Sequence, residues 1–467
     1  MSRTHRAIAA GLLGCTSLCC GGGDRPNIIL ITLDTTRADH LSCYGYERET
    51  SPNVDALARE ATVFERAYAV SSWTLPTHAS IFTGRYPKSH GARYDPEGPV
   101  AVTPPVHRDV NAPPQPEVRV RMLAPTTGTL AQLLKKRGYK TSAAVAGPWM
   151  KEAFGLSLGF DSYDEEDIHM LYGRLGESVS DAALGFLEEV DSGPFMLFLN
   201  YYDAHQPWGA PGDAMYRYVD KEAVDQVQRM SESALDTLVK GVGRTDDREL
   251  LVGLYDGEIH YMDAQVGRVF DDLKRRGLWE NSWVIVTADH GEMLGEKGSY
   301  NHGDDSLSEG EIHIPLLIKP PASGSRTGLT VGREGGFVQQ VDLLPLLLSE
   351  LGIDIPEDVQ GVLPGQRTEP VIADLWPSHR GGGRLQAMVE EHEKILRRES
   401  GLELYDLESD PNELTNLESE KSERAEALRK RLEALFASLP DPIALDIGPE
   451  VDEDTLNALK GLGYIGD

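Results

Sequence analysis

A chain of 467 residues can bury one large core with a smaller satellite, and it is too long for a single small module. Its 40% hydrophobic and 26% charged residues are ordinary for a globular protein. The net charge of −30 excludes nucleic acid as a partner, because no surplus of Lys and Arg is left to neutralise phosphates. The same charge means that a site for an anionic ester must reverse the local field, and a bound divalent cation does this most directly.

At the N-terminus Arg3, His5 and Arg6 precede the apolar run Ala7 to Leu13, which leads into Leu12-Leu13-Gly14-Cys15. This reads as a secretory signal over residues 1–14 with a bacterial lipobox, leaving Cys15 as the lipidated first residue of the mature chain. Residues 15–26, with Gly21-Gly22-Gly23, form a tether. So short a run cannot span a bilayer. The chain is therefore expected to be exported and anchored in the cell envelope, at the outer membrane or periplasm, touching membrane through its lipid alone. Only Cys43 falls in the folded part, so no disulfide framework is possible there.

From Asn27 onward apolar runs alternate with amphipathic stretches, which predicts an α/β fold with a large, mostly parallel sheet covered by helices. Ile28 to Leu33 closes on Asp34. Phe195 to Leu199 is followed by Asp203 and His205, and Trp283 to Val286 by Asp289 and His290. Three predicted strands thus end in residues able to handle metals or protons, where open α/β sheets gather their sites. Ser51-Pro52 predicts a helix with Ser51 as N-cap. Residues 248–276 predict a long helix on which His260 is packed or solvated rather than a ligand. The proline-rich stretch 96–125 reads as an exposed loop. After a main domain over 27–370, residues 371–440 predict a C-terminal subdomain of small antiparallel sheet plus charged helix, and 441–467 a tail.

The segment Trp73-Thr74-Leu75-Pro76-Thr77-His78 through Thr83-Gly84-Arg85 places the Thr74 hydroxyl near a helix N-terminus, where free N–H groups favour anions. Taken alone, Thr74 could equally be a plain N-cap.

Set beside its neighbours, this segment resembles the sulfatase signature, Cys-x-Pro-Ser-Arg followed by Leu-Thr-Gly-Arg; Pro76 and Thr83-Gly84-Arg85 stand in the matching places. Asn27 to Asp34 with Arg37-Ala38-Asp39-His40 resembles the family's first strand and metal loop. Tyr255 to Glu258 through Thr287-Ala288-Asp289-His290-Gly291-Glu292 resembles its second metal segment. Leu404 to Leu407 with Asp410-Pro411-Asn412-Glu413 looks like its C-terminal motif. The resemblance implies an alkaline-phosphatase-like fold, a large mixed sheet sandwiched by helices with a small C-terminal antiparallel sheet. It also implies one divalent cation, Ca²⁺, Mn²⁺ or Zn²⁺, held by Asp34, Asp289 and His290 with Thr74 directed at it. His205 matches the position that contacts the ester, and His302 falls near a substrate-binding lysine of many members. His78 takes the signature arginine's place on the substrate side. Asp203, His205 and His302 are the candidates for a second cation.

The chain departs from the family where a sulfatase forms its nucleophile. Thr74 is a secondary alcohol and cannot become formylglycine, Thr77 and His78 replace the residues the modifying enzyme reads, and Thr35 replaces a metal-binding aspartate. An unmodified threonine is the nucleophile of phosphodiesterases and phosphoethanolamine transferases of the superfamily. The leading expectation is therefore a metal-dependent phosphoryl ester hydrolase or transferase acting on a small-molecule or glycan ester, with Thr74 as nucleophile and His205 as its catalytic partner. The alternatives are a sulfatase working by an unmodified route and a catalytically silent lipoprotein that binds an anionic glycan.

Overall fold

The apolar runs become strands because both faces of their sheet are buried. In β1 (Asn27–Leu33), Ile28 and Leu30 enter one core while Ile29, Ile31 and Leu33 enter the other, so no solvent-facing alternation is left. The computed structural model describes residues 25–98, 100–102, 118–169, 173–190, 193–223, 245–300, 302–303, 306–377 and 383–442. The signal segment, Cys15, nearly all of the tether and of the tail, and the centre of the proline-rich stretch lie outside these.

In chain order the strands are β2 (Thr62–Tyr68), β3 (Arg93–Tyr94), β4 (Val100–Val102), β5 (Val118–Arg121), β6 (Lys140–Val145), β7 (Ser162–Asp164), β8 (Phe195–Tyr201) and β9 (Ser282–Thr287). They continue as β10 (His313–Ile314), β11 (Leu316–Lys319), β12 (Gly332–Gln339), β13 (Val371–Leu375), β14 (Leu385–Glu390), β15 (Glu393–Arg398) and β16 (Gly401–Asp406). The main sheet runs β10-β2-β11-β9-β1-β8-β6-β7, with β12 beside β2. Strands β9, β1, β8, β6 and β7 are parallel, and β11 is reversed between β9 and β2. Helices Thr74–Thr83, Leu130–Lys135 and Leu343–Glu350 cover one face; Pro52–Ala58, Gly176–Glu189 and Thr245–Arg275 cover the other. This is the mixed, mostly parallel architecture expected.

Local details correct two readings. The Ser51 hydroxyl makes no cap bond, since it donates to Asp55 Oδ1 at 3.0 Å instead. Part of the proline-rich stretch is not loop: β4 and β5 pair there, and β5 also pairs with β3. No helix among the described residues is long and apolar enough to cross a membrane.

Strands β13–β16 form the antiparallel C-terminal sheet. One face packs on helix Ser422–Ser438 through Ala425, Leu428, Leu432 and Phe436, spaced as a helical stripe. Its other face, Val371, Ala373, Leu385 and Ala387 among it, joins the main core. A buried charge cluster fastens the two parts. Lys394 on β15 is fully buried and reaches Glu413 at 2.8 Å and Glu309 at 3.0 Å, while Glu413 also accepts from Lys297 and from the Glu309 backbone. Lys394→Ala should destabilise the fold by about 3–5 kcal/mol, because Glu413 is left short of its closest counter-charge in a buried place. The denaturant midpoint checks this; a shift equivalent to under about 1 kcal/mol would mean that water reaches the cluster.

Candidate active site

The registers Thr32↔Asn200 and Thr32↔Thr287 bring the carboxyl ends of β1, β8 and β9 to one edge. Just past those ends Asp34, Asp289 and His290 converge, with ligand atoms all within 4.8 Å of one another and every residue buried. Thr35 turns the chain through φ +53°, a costly left-handed conformation for a β-branched residue. The turn is held by its own contacts. The Thr35 N–H donates to Asp289 Oδ1 at 3.1 Å, and the Tyr255 hydroxyl donates to the Thr35 carbonyl at 2.8 Å. Gln340 donates to the Ala288 and Asp289 carbonyls from the other side. Gly291 follows because a Cβ there would lie 2.1 Å from the Gly310 carbonyl oxygen.

Among the described residues, both Asp34 carboxylate oxygens and Asp289 Oδ2 are buried without any hydrogen-bond partner. Burial, and then repulsion from Asp289, pushes the Asp34 carboxyl well above its usual range. Burial also lowers His290 to about 4, which keeps its imidazole neutral and able to ligate. Undonated carboxylate oxygens around a neutral imidazole are costly by themselves and fit a divalent cation. The place of a second aspartate is taken by the neutral Thr35 hydroxyl, also without a hydrogen-bond partner.

Thr74 lies one residue inside its helix, with Trp73 at the N-cap position, so capping is not its role. Pro76, in the first turn, gives up no hydrogen bond there. The Thr74 hydroxyl lies 3.4 Å from His290 Nε2, against the carboxylate cluster. His205 and His302 complete a row of imidazoles: their ring centroids are 4.7 Å apart, and His302 is 4.5 Å from His290. Burial drives His205 well below the usual histidine range.

One sequence assignment is corrected, and another is placed apart from the Asp34 cluster. His78 does not face a ligand. It is fully buried against Phe198, with Nε2 2.9 Å from Thr32 Oγ1 and Nδ1 2.9 Å from the Thr74 carbonyl. Nε2 thus seats the Thr74 helix on β1, while Nδ1 closes a bond within that helix. Asp203, expected with His205 and His302 at a second cation, is not among the residues that converge with Asp34: its Oδ1 accepts from the Gly176 N–H at 2.9 Å, and its Oδ2 is buried without a hydrogen-bond partner among the described residues. His260 stands 6.2 Å from the Tyr218 ring, away from the cluster. Sequence reasoning quoted Tyr255 and Glu292 only as parts of the second metal segment and gave neither a role of its own, and it did not single out Gln340, which nothing local marks. A groove of 1010 Å³ between β2, β10 and the C-terminal sheet, lined by Arg66, Tyr68, Glu309 and His392, includes none of Thr74, Asp34, Asp289 and His290.

A buried carboxylate–imidazole cluster at parallel strand ends, with a hydroxyl beside it, forms a site on an α/β sheet suited to a cation. The sequence profile of the sulfatase family matches residues 26–353, and the chain belongs to that family. It is similar to an arylsulfatase of Clostridium perfringens, 26% identical and spanning 87% of this chain and 94% of that one. A multifunctional alkaline phosphatase superfamily protein, PehA of Trinickia caryophylli, is 28% identical over 76% of this chain and 78% of its own. The phosphonate monoester hydrolase of Agrobacterium radiobacter superposes with a TM-score of 0.63 at 20% identity, over 89% and 96% of the two chains. The protein is a sulfatase-family hydrolase.

Proposed function

We propose that the protein cleaves or transfers a phosphoric ester with Thr74 as the nucleophile. The observation that carries this reading is an unmodified threonine hydroxyl 3.4 Å from His290, beside three undonated carboxylate oxygens. A divalent cation held by Asp34, Asp289 and His290 would polarise the ester and favour ionisation of the nearby hydroxyl. Thr74 Oγ attacks phosphorus as its hydroxyl proton passes to solvent, the bond to the leaving oxygen breaks, and that oxygen takes up a proton from water. His205, at the cleft beside His302, is the catalytic partner that contacts the reacting group as a neutral imidazole. Water hydrolyses the phospho-threonine and restores the hydroxyl, or another alcohol accepts the phosphoryl group. His78 holds Thr74 in place from behind.

Relatives named for sulfate and for phosphonate esters flank this chain, so a sulfate ester is the second reading. Nitrophenyl phosphate, phosphodiester, phosphonate and sulfate substrates assayed with Ca²⁺, Mn²⁺ and Zn²⁺ separate the two. Turnover of a phosphorus ester is expected; turnover of sulfate alone would overturn the assignment. The leader sequence supports a location as well. Mass spectrometry of the mature N-terminus should find an acylated Cys15, and an unacylated chain beginning after Cys20 would remove the anchor.

A further inference from the structure

We infer that Glu292 is a positioning residue that fixes which nitrogen His302 presents to the ester, an inference resting on the cleft assigned above. Glu292 is fully buried, and its two carboxylate oxygens lie 3.0 and 3.1 Å from His302 Nδ1. A buried carboxylate needs a donor, so the ring proton belongs on Nδ1 and is donated to Glu292. Nε2 then carries the lone pair and can accept from a hydroxyl or water in the cleft. The ring stands between His205, at 4.7 Å, and His290, whose Nε2 neighbours the Thr74 hydroxyl.

Glu292 is itself held stiffly. The preceding Gly291 N–H donates to the Glu311 carbonyl at 2.7 Å, and Arg37 Nη1 donates to the Glu292 carbonyl at 3.1 Å. Gly291 and Gly310 approach too closely for any side chain between them. The carboxylate is therefore a fixed reference against which the imidazole is set. It is not one of the groups converging as Asp34, Asp289 and His290 do. A carboxylate behind a site histidine sets tautomer and ring angle, and its loss commonly costs about 10–100-fold.

The test uses the full-length protein loaded with its metal. Glu292→Ala should lower kcat by about 10–100-fold with KM and bound metal little changed. Glu292→Gln, whose amide oxygen still accepts from Nδ1, should recover most of that loss. The double variant Glu292→Ala/His302→Ala should be no slower than His302→Ala, since both act through one ring. Nitrogen-15 NMR should find the His302 proton on Nδ1 in the wild type and shared between the two nitrogens in Glu292→Ala. Three results would each overturn the inference: metal loss in Glu292→Ala as deep as in Asp289→Asn, additive effects in the double variant, or a His302 tautomer indifferent to Glu292. The tautomer reading needs no substrate, so it stands or falls separately from the Thr74 assignment.

Discussion

Thr74→Ala should lower kcat on a phosphorus ester by about four to six powers of ten, because the covalent step disappears with the hydroxyl. Thr74→Ser keeps a hydroxyl on the same helix position and should retain substantial activity. The substitution is nearly silent for the fold: Thr74 is 2% exposed, but among the described residues its hydroxyl's polar contact is the 3.4 Å approach to His290. Rapid quench with a phosphate ester followed by peptide mapping should place phosphate on Thr74. Thr74→Cys should gain no sulfatase activity beside a formylglycine-generating enzyme, since Thr77 and His78 break the sequence which that enzyme reads. A Thr74→Ala protein as active as the wild type would end the nucleophile assignment.

Asp34→Asn and Asp289→Asn should each abolish stoichiometric cation binding and cut activity by roughly three powers of ten or more. The physical ground is the set of three carboxylate oxygens buried without donors. Removing one charge relieves their repulsion, so in a chelator both variants should melt no lower than the wild type. With metal present the order reverses, because a cation at a thousandfold excess over Kd stabilises the wild type by about 4 kcal/mol. The sign of the pH effect follows from Asp34. Its carboxyl is raised in the folded protein by burial and by Asp289, so the metal-free fold binds more protons than the unfolded chain. The Asp34 contribution to stability without metal should therefore be greatest in acid and fall as pH rises through the carboxylate range towards the raised value. Elemental analysis and melting curves with and without chelator check both points. Equal metal content in wild type and variants would show that these residues are not the ligands.

Much of the site was legible because it is local to strand ends. A buried parallel strand is a short apolar run, and Asp34, Asp289 and His290 each follow one directly, so position in sequence carried position in space. The Thr74 segment was legible as a helix start from Pro76 and Gly84, whose φ of +65° closes the helix. The long helix Thr245–Arg275 and the C-terminal sheet were readable from periodicity alone.

Side-chain direction was not legible, since it depends on what the next layer of structure offers. His78 and His302 look alike as loop or helix histidines in the sequence. Packing sends His78 inward to Thr32 and brings His302 to Glu292, ten residues away along the chain but within hydrogen-bond reach. Asp203 follows a buried strand just as Asp34 does, yet the nearby Gly176 N–H draws its carboxylate away from the cluster. The sequence by itself thus determined the sheet, its order of strand-end carboxylates and the start of the helix that carries Thr74. Only the tertiary structure decided which polar groups share the cleft, because packing sets which of them find a partner, as His78 and His302 do, and which are left without one, as the Asp34 carboxylate is.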